Sequence, residues 1–245
     1  MSSTCGIVST VTAAMTFGVA EDLSHTCYSL IPGSGDIGNL FIDSEAGIVD
    51  VNGNHTFTNG GYVSTTNTDP IFGTSSMLFS PTSENPSHAW LRTNSNVVIN
   101  GQFTIDFWTD DISPSPWRLE SQIPFNFNIG SKHTLYMITS YDPNDSGLCY
   151  LYWQNISYEF DPGTNFFDGR HHVAITRDAS NNIRVFMDGV QKYTINSSST
   201  VTAQLYIGAH SFGYYYLNGK LDNFRVVTDE ALWTSNFNTA TDMYY

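Results

Sequence analysis

The chain has 245 residues, of which 40% are hydrophobic and 14% aromatic, enough apolar mass for one large core, and only 13% are charged. A formal net charge of −14 with 9 Lys and Arg in all excludes nucleic-acid binding, which needs clustered cations against phosphate. A surface this poor in charge must be covered by Ser, Thr, Asn, Gly and Tyr, which suits a secreted or particle-borne β protein better than a cytosolic enzyme. The acidity either serves solubility or gathers carboxylates for a divalent cation.

Residues 1–38 stand apart. They show no sustained period and close on the turn cluster Ile31-Pro-Gly-Ser-Gly-Asp36. The expectation is an N-terminal arm, which attaches the domain to something larger through Ile7, Val8, Val11, Met15, Phe17 and Val19, the alternative being a frayed tail. No Lys or Arg precedes the mildly apolar run 10–20, and Thr and Gly interrupt it, so neither a signal peptide nor membrane insertion is expected. Cys5, Cys27 and Cys149 make an odd, irregularly spaced set that supports no disulfide framework or zinc site, although a Cys5–Cys27 bridge stays open. Cys149 lies in the apolar run Leu148–Trp153 and is expected as a buried free thiol.

From Asn39 onward short strand signals alternate with turns. Phe103, Ile105 and Phe107 share one strand face and Thr104, Asp106 and Trp108 the other. The prolines of 110–116 demand a loop, and Tyr141–Gly147 reads as a hairpin turn. Gly169–Val227 reads as a ladder: a strand from His171, a reversal near Asn181-Asn182, a strand 183–187, a tight turn at Asp188-Gly189, and a return to Ile195. Ile183, Val185 and Met187 form a core face. Trp108, Trp153 and Phe224 are expected in the core, and Asn218-Gly219 is a second hairpin signal. One short helix is predicted over Asp229–Trp233 with Thr228 as its N-cap.

The segments HHVAITRD (171–178), IRVFMDGVQ (183–191), LYIG (205–208), LNGKLDNFRV (217–226) and EALWTSNF (230–237) resemble the laminin-G-like, concanavalin-A-like jelly roll, in the variant often found in bacteriophage structural proteins. NLFIDSEAG (39–47), DPIFGTSSMLF (69–79) and GQFTIDFW (101–108) fit its opening strands in the right order. The resemblance implies an all-β antiparallel sandwich over residues 39–245. Arg170 stands where the family commonly has Trp, which removes a core aromatic from the start of that strand. It further implies a non-enzymatic virion protein, a capsid decoration or tail-associated module, held by other virion proteins, with a homo-oligomer, taken as a trimer, at the virion surface. Such a protein is made in the host cytoplasm without a signal peptide. The alternative reading is a carbohydrate-binding module for host-surface glycans.

Binding candidates are aromatic, because sugars stack on Tyr and Trp rings while protein interfaces use the same rings as anchors. Tyr214, Tyr215 and Tyr216 with Asn218 come first, since three consecutive tyrosines in an extended segment cannot all face one core. Ligand contact, a protein neighbour and plain packing all remain open for them. Trp117 and Tyr141, both in loops, come second. Asp43 follows Leu40-Phe-Ile42 and Asp222 alternates with Phe224 and Val226 on one strand face, so each occupies an otherwise apolar pattern, and a buried carboxylate requires a charge partner or a metal. The resemblance makes calcium the natural cofactor, with Asp43, Asp50, Asn52 and Asp222 as ligands, the alternative being turn caps and pairs with Arg177, Arg184 or Arg225. Catalysis is not expected: glycan-cleaving relatives place two Glu around an Asp on one strand, and Thr104–Asp110 holds no Glu. His171 and His172 are adjacent, so they point to opposite faces and form no joint site, with one of them near the surface.

Overall fold

The computed structural model describes residues 39–82, 88–113, 121–129, 132–139, 148–163, 166–167, 169–210 and 215–239. The N-terminal arm, Cys5, Cys27, Trp117, Tyr141 and Tyr214 lie outside them. In chain order the strands are β1 (Leu40–Ile42), β2 (Phe57–Asn59), β3 (Val63–Thr66), β4 (Ser76–Phe79), β5 (Leu91–Thr93), β6 (Val97–Ile99), β7 (Phe103–Asp110) and β8 (Gln122–Ile129). They continue as β9 (Lys132–Thr139), β10 (Cys149–Trp153), β11 (Ile156–Phe160), β12 (His171–Arg177), β13 (Asn182–Met187), β14 (Val190–Asn196), β15 (Val201–Ile207) and β16 (Gly219–Thr228).

Two eight-stranded antiparallel sheets result, ordered β14-β13-β12-β7-β16-β4-β3 and β11-β10-β9-β8-β15-β5-β2. One side of β16 is divided between β1 and β4, and one side of β15 between β6 and β5. The expected all-β sandwich is therefore present. Period-two alternation puts Phe103, Ile105 and Phe107 of the first sheet against Phe125, Phe127 and Leu205 of the second in one continuous core. Ile183, Val185 and Met187 join it, as do Trp153 and Phe224, whereas Trp108, also expected there, lies partly buried on the outer face of the first sheet with Ala174 and Phe186. Cys149 is a buried free thiol there, its pKa pushed up by burial.

The hairpin at Asp188-Gly189 has both residues at positive φ, 50° and 75°, which matches the twist of the flanking strands. At the other end of β13, Asp178 accepts from the backbone of Ser180 and Asn182 and from Arg184, contacts that outweigh its partial burial and hold its pKa down to about 2. Arg177 closes the sandwich edge. Its side chain, covered by Phe103 and Trp153, donates to the carbonyls of Gly101, Ser197 and Ser199.

Four expectations are corrected. Residues 229–233 are not helical: Asp229 sits at φ 74°, and the chain runs extended over the first sheet, with Leu232 N donating to Thr104 Oγ1 and Thr176 Oγ1 donating to the Trp233 carbonyl. Tertiary bonds to the sheet override a weak helical pattern. Asn218-Gly219 is not a tight hairpin, because β15 and β16 belong to different sheets. Gly219 is needed where Ile112 approaches, since an added Cβ would lie 2.8 Å from the Ile112 Cα. Asp222 does not share a face with Phe224: a bulge at Asn223, φ 48°, turns Asp222 and Arg225 outward together. Finally, His171 and His172 are both buried.

Arg170 does not leave the start of β12 unsupported. Its side chain reaches Asp110 and Asp69, each at 2.8 Å, while the fully buried Phe166 stacks on His171.

Candidate functional site

The outward faces of the two sheets differ. On the first, Trp233 stacks on Phe237 at 4.2 Å, and with Leu232 they cover Ala174, Phe186 and Trp108. Beneath this strap, Arg225 Nε and Nη2 donate to Asp106 at 2.9 and 3.1 Å, and His172 Nε2 lies 3.3 Å from the same carboxylate. Burial opposes the charge on Asp106, but Arg225 and His172 outweigh it and keep its pKa below the ordinary value. Burial likewise keeps His172 neutral. This face is filled by the chain's own residues.

The second sheet carries a row of polar and aromatic side chains on its outer face. The register runs Thr58, Arg92, Tyr206, Asn126, Tyr136, Tyr152, Ser157 from edge to edge, one residue from each of seven strands. Alternation places them all outward, because Leu91, Leu205, Ile207, Phe125, Phe127, Leu135, Met137, Leu151 and Trp153 face the core. At neighbouring-strand spacing, Arg92 and Tyr152 lie about 19 Å apart, the span of a short oligosaccharide.

Two aromatic groups stand on this row. Tyr136 and Tyr152 stack in parallel at 4.2 Å, His210 meets Tyr136 edge-on at 6.0 Å, and Tyr215 meets His210 at 6.3 Å. Burial, reinforced by Tyr152, pushes the Tyr136 phenol up, so it stays protonated throughout the physiological range. In the second group Trp90 packs against Tyr206 at 5.9 Å, with the Arg92 guanidinium over the Trp90 ring at 5.9 Å. Gly60 lets the indole lie flat, because a Cβ there would meet the ring at 2.6 Å. Asn126, between the groups, is closed to solvent.

Of the tyrosines singled out from sequence, Tyr215 is exposed and borders the Tyr136 group, whereas Tyr216 is buried. Asn218 is engaged at the sandwich end: its Nδ2 donates to Ser113 Oγ, and its backbone N–H donates to Gln122 Oε1. Trp90, Arg92, Tyr136, Tyr152 and Tyr206 were not singled out, because their common signal is cross-strand register rather than local pattern.

Three of the four expected calcium ligands, Asp43, Asp50 and Asp222, accept hydrogen bonds from the chain itself, and the backbone of the fourth, Asn52, donates to Asp50. Asp50 accepts from the N–H groups of Phe41, Asn52 and His55, and Asp43 from that of Glu45. Asp222 accepts from Phe72 N, Ser76 Oγ and Asn223 N, and burial raises its pKa to about 7. Among the described residues the carboxylates that do converge are Asp69, Asp110 and Asp111, within 4.8 Å of one another. Arg170 and Lys220 already interleave with them: Lys220 lies 2.6 Å from Asp111, and Arg170 reaches Asp69 and Asp110.

A sequence profile described as the concanavalin A-like lectin/glucanases superfamily matches residues 85–233. The chain belongs to this superfamily. No curated protein sequence matches it. Solved structures share the superfamily's architecture at low identity. A native heptameric SAP-like pentraxin from Limulus polyphemus aligns with TM-score 0.50 and 13% identity, over 66% of this chain and 76% of that one. The botulinum neurotoxin serotype D ligand-binding domain, solved with N-acetylneuraminic acid, aligns with TM-score 0.54 and 16% identity, over 78% and 47%. The binding domain of Paraclostridial Mosquitocidal Protein 1 gives 0.54 and 11%, over 85% and 52%. The superfamily member described here thus spans about half the length of the two toxin domains.

Proposed function

We propose that this chain is a non-enzymatic glycan-binding module displayed on a bacteriophage particle, with the outer face of the second sheet as its binding surface. The observation that carries the reading is the edge-to-edge row with its two aromatic groups, since tyrosine and tryptophan rings take the C–H faces of sugars and neighbouring hydroxyl and guanidinium groups bond their hydroxyl groups. The botulinum neurotoxin domain solved with N-acetylneuraminic acid, which shares the fold, agrees with it. Absence of catalysis is supported by composition: Glu159 is the one carboxylate in the eight strands of this sheet, and glycan cleavage uses two. Display on a particle rests on the resemblance of the strand motifs to bacteriophage structural proteins, and repeated copies on a symmetric particle would raise avidity.

A glycan array probed with the whole chain tests the binding half. Binding by the wild type, abolished in a Tyr136→Ala/Tyr152→Ala variant that keeps its melting temperature, is the expected result; absence of any bound glycan refutes it. Reducing-end release from a bound polysaccharide would refute the non-catalytic half. Mass spectrometry of purified particles tests display, which fails if the chain is missing from them.

A further inference from the structure

We propose that the end of the row formed by β5 and β15 is a subsite for an acidic sugar, with Arg92 as the cation that takes its anionic group. This deepens the glycan reading above and rests on it. The chain is strongly acidic, and its few cations are mostly consumed. Arg170, Arg184, Lys220 and Arg225 each pair with a carboxylate, and Arg177 is spent on backbone carbonyls. Arg92 is half-buried on an outer sheet face with no carboxylate beside it among the described residues, and its Nε, shielded from solvent, has no acceptor. The terminal nitrogens are therefore the donors a ligand can reach.

The setting suits an oxyanion carried on a ring. A guanidinium fork takes a carboxylate or sulfate through two parallel hydrogen bonds. Trp90 holds the fork from below and is itself wedged by Gly60, so the charge is fixed before a ligand arrives and little is lost in ordering it. Tyr206, tilted 53° to the indole, offers the adjacent ring for the sugar face, and Thr58 Oγ1, bonded to Asn94 at 2.6 Å, lies on the other side of Arg92. The net negative charge elsewhere acts over distances that physiological salt screens beyond about 8 Å, whereas the fork acts in contact.

The test is calorimetric titration of the full chain with three probes on one oligosaccharide core: the neutral core, the core capped with a carboxylate-bearing sugar, and the core carrying a sulfate ester. At least one anionic probe should bind tenfold or more tightly than the neutral one. Arg92→Gln should erase that advantage, Arg92→Lys should restore only part of it, and Tyr136→Ala should weaken all three alike. Whichever of carboxylate or sulfate is preferred identifies the source of the anion. Equal binding of neutral and anionic probes, or an advantage that survives in Arg92→Gln, overturns the inference and leaves the glycan reading standing. No binding by any glycan, with a protein partner captured by the same face instead, overturns both.

Discussion

Replacing Arg225 with Met isolates what the buried ion pair beneath the strap contributes. The change removes the two guanidinium bonds that Asp106, which has no exposed surface, accepts from Arg225 Nε and Nη2, and keeps the longer 3.3 Å contact to His172. Stranding a charge in this way costs about 3–5 kcal/mol, far more than the packing difference between Arg and Met over the Trp233 ring. For a domain of this size each kcal/mol lowers Tm by about 2–4 °C, so the variant should melt roughly 6–20 °C below the wild type. Urea unfolding followed by tryptophan fluorescence gives the free energy directly. The second half of the experiment is the double variant Asp106→Leu/Arg225→Met, which removes the charge together with its partner and should recover most of the loss. A single variant that loses less than about 1 kcal/mol, or a double variant as unstable as the single, would refute the argument that Asp106 depends on Arg225 for its burial.

Asp222→Asn should change the pH dependence of stability. The folded pKa of Asp222 is raised from 3.8 to about 7, so its contribution is fully present below pH 3.8 and is lost as pH rises through 7, by up to about 4 kcal/mol at about 1.36 kcal/mol per pH unit. The variant should therefore gain on the wild type from pH 4 to pH 8 in parallel urea titrations, and parallel curves would contradict this. His172 acts in the opposite sense: held neutral by burial, it contributes above its ordinary 6.5 and loses that contribution as pH falls below it. Gly189→Ala should cost about 1–3 kcal/mol from its positive φ alone, and the added Cβ would lie 2.1 Å from the Phe237 carbonyl. Lifting of the strap should then appear as a red shift of tryptophan emission, and an unshifted spectrum would count against the contact. Chelation with EDTA should leave Tm unchanged, because Asp50 and Asp222 each already accept three hydrogen bonds and Arg170 and Lys220 pair with the carboxylates of the Asp69 cluster; a fall reversed by calcium would contradict it.

Local periodicity carried much of the fold. The alternation in Phe103–Trp108 and Ile183–Met187 assigned inner and outer faces correctly, and Asp188-Gly189 announced its turn, because each depends on residues within a few positions of one another. Features that depend on distant neighbours were not legible. The bulge at Asn223 is a single extra residue that inverts the face of Asp222, and no composition marks it. The Asp229–Trp233 segment has a helical start signal, yet Thr104 and Thr176, more than 50 residues earlier, hold it extended. The outer-face row is the extreme case: Arg92, Tyr136, Tyr152 and Tyr206 are unremarkable within their own strands and become a surface only through pairing, whereas the run of three tyrosines at 214–216 stood out in sequence and, among its described residues, supplied one exposed ring at the border of that row, Tyr215.

The strand that binds the first sheet together, β16, pairs with β7, β4 and β1 and is almost wholly buried, yet among the described strands it is the last in chain order. Until residues 219–228 leave the ribosome, β4 and β7 flank an open slot, and the nascent chain must carry its unsealed apolar strands while the residues between β7 and β16 are made. Chains cut short before this point would present bare edges to one another, so premature termination is expected to yield aggregates rather than smaller folded domains.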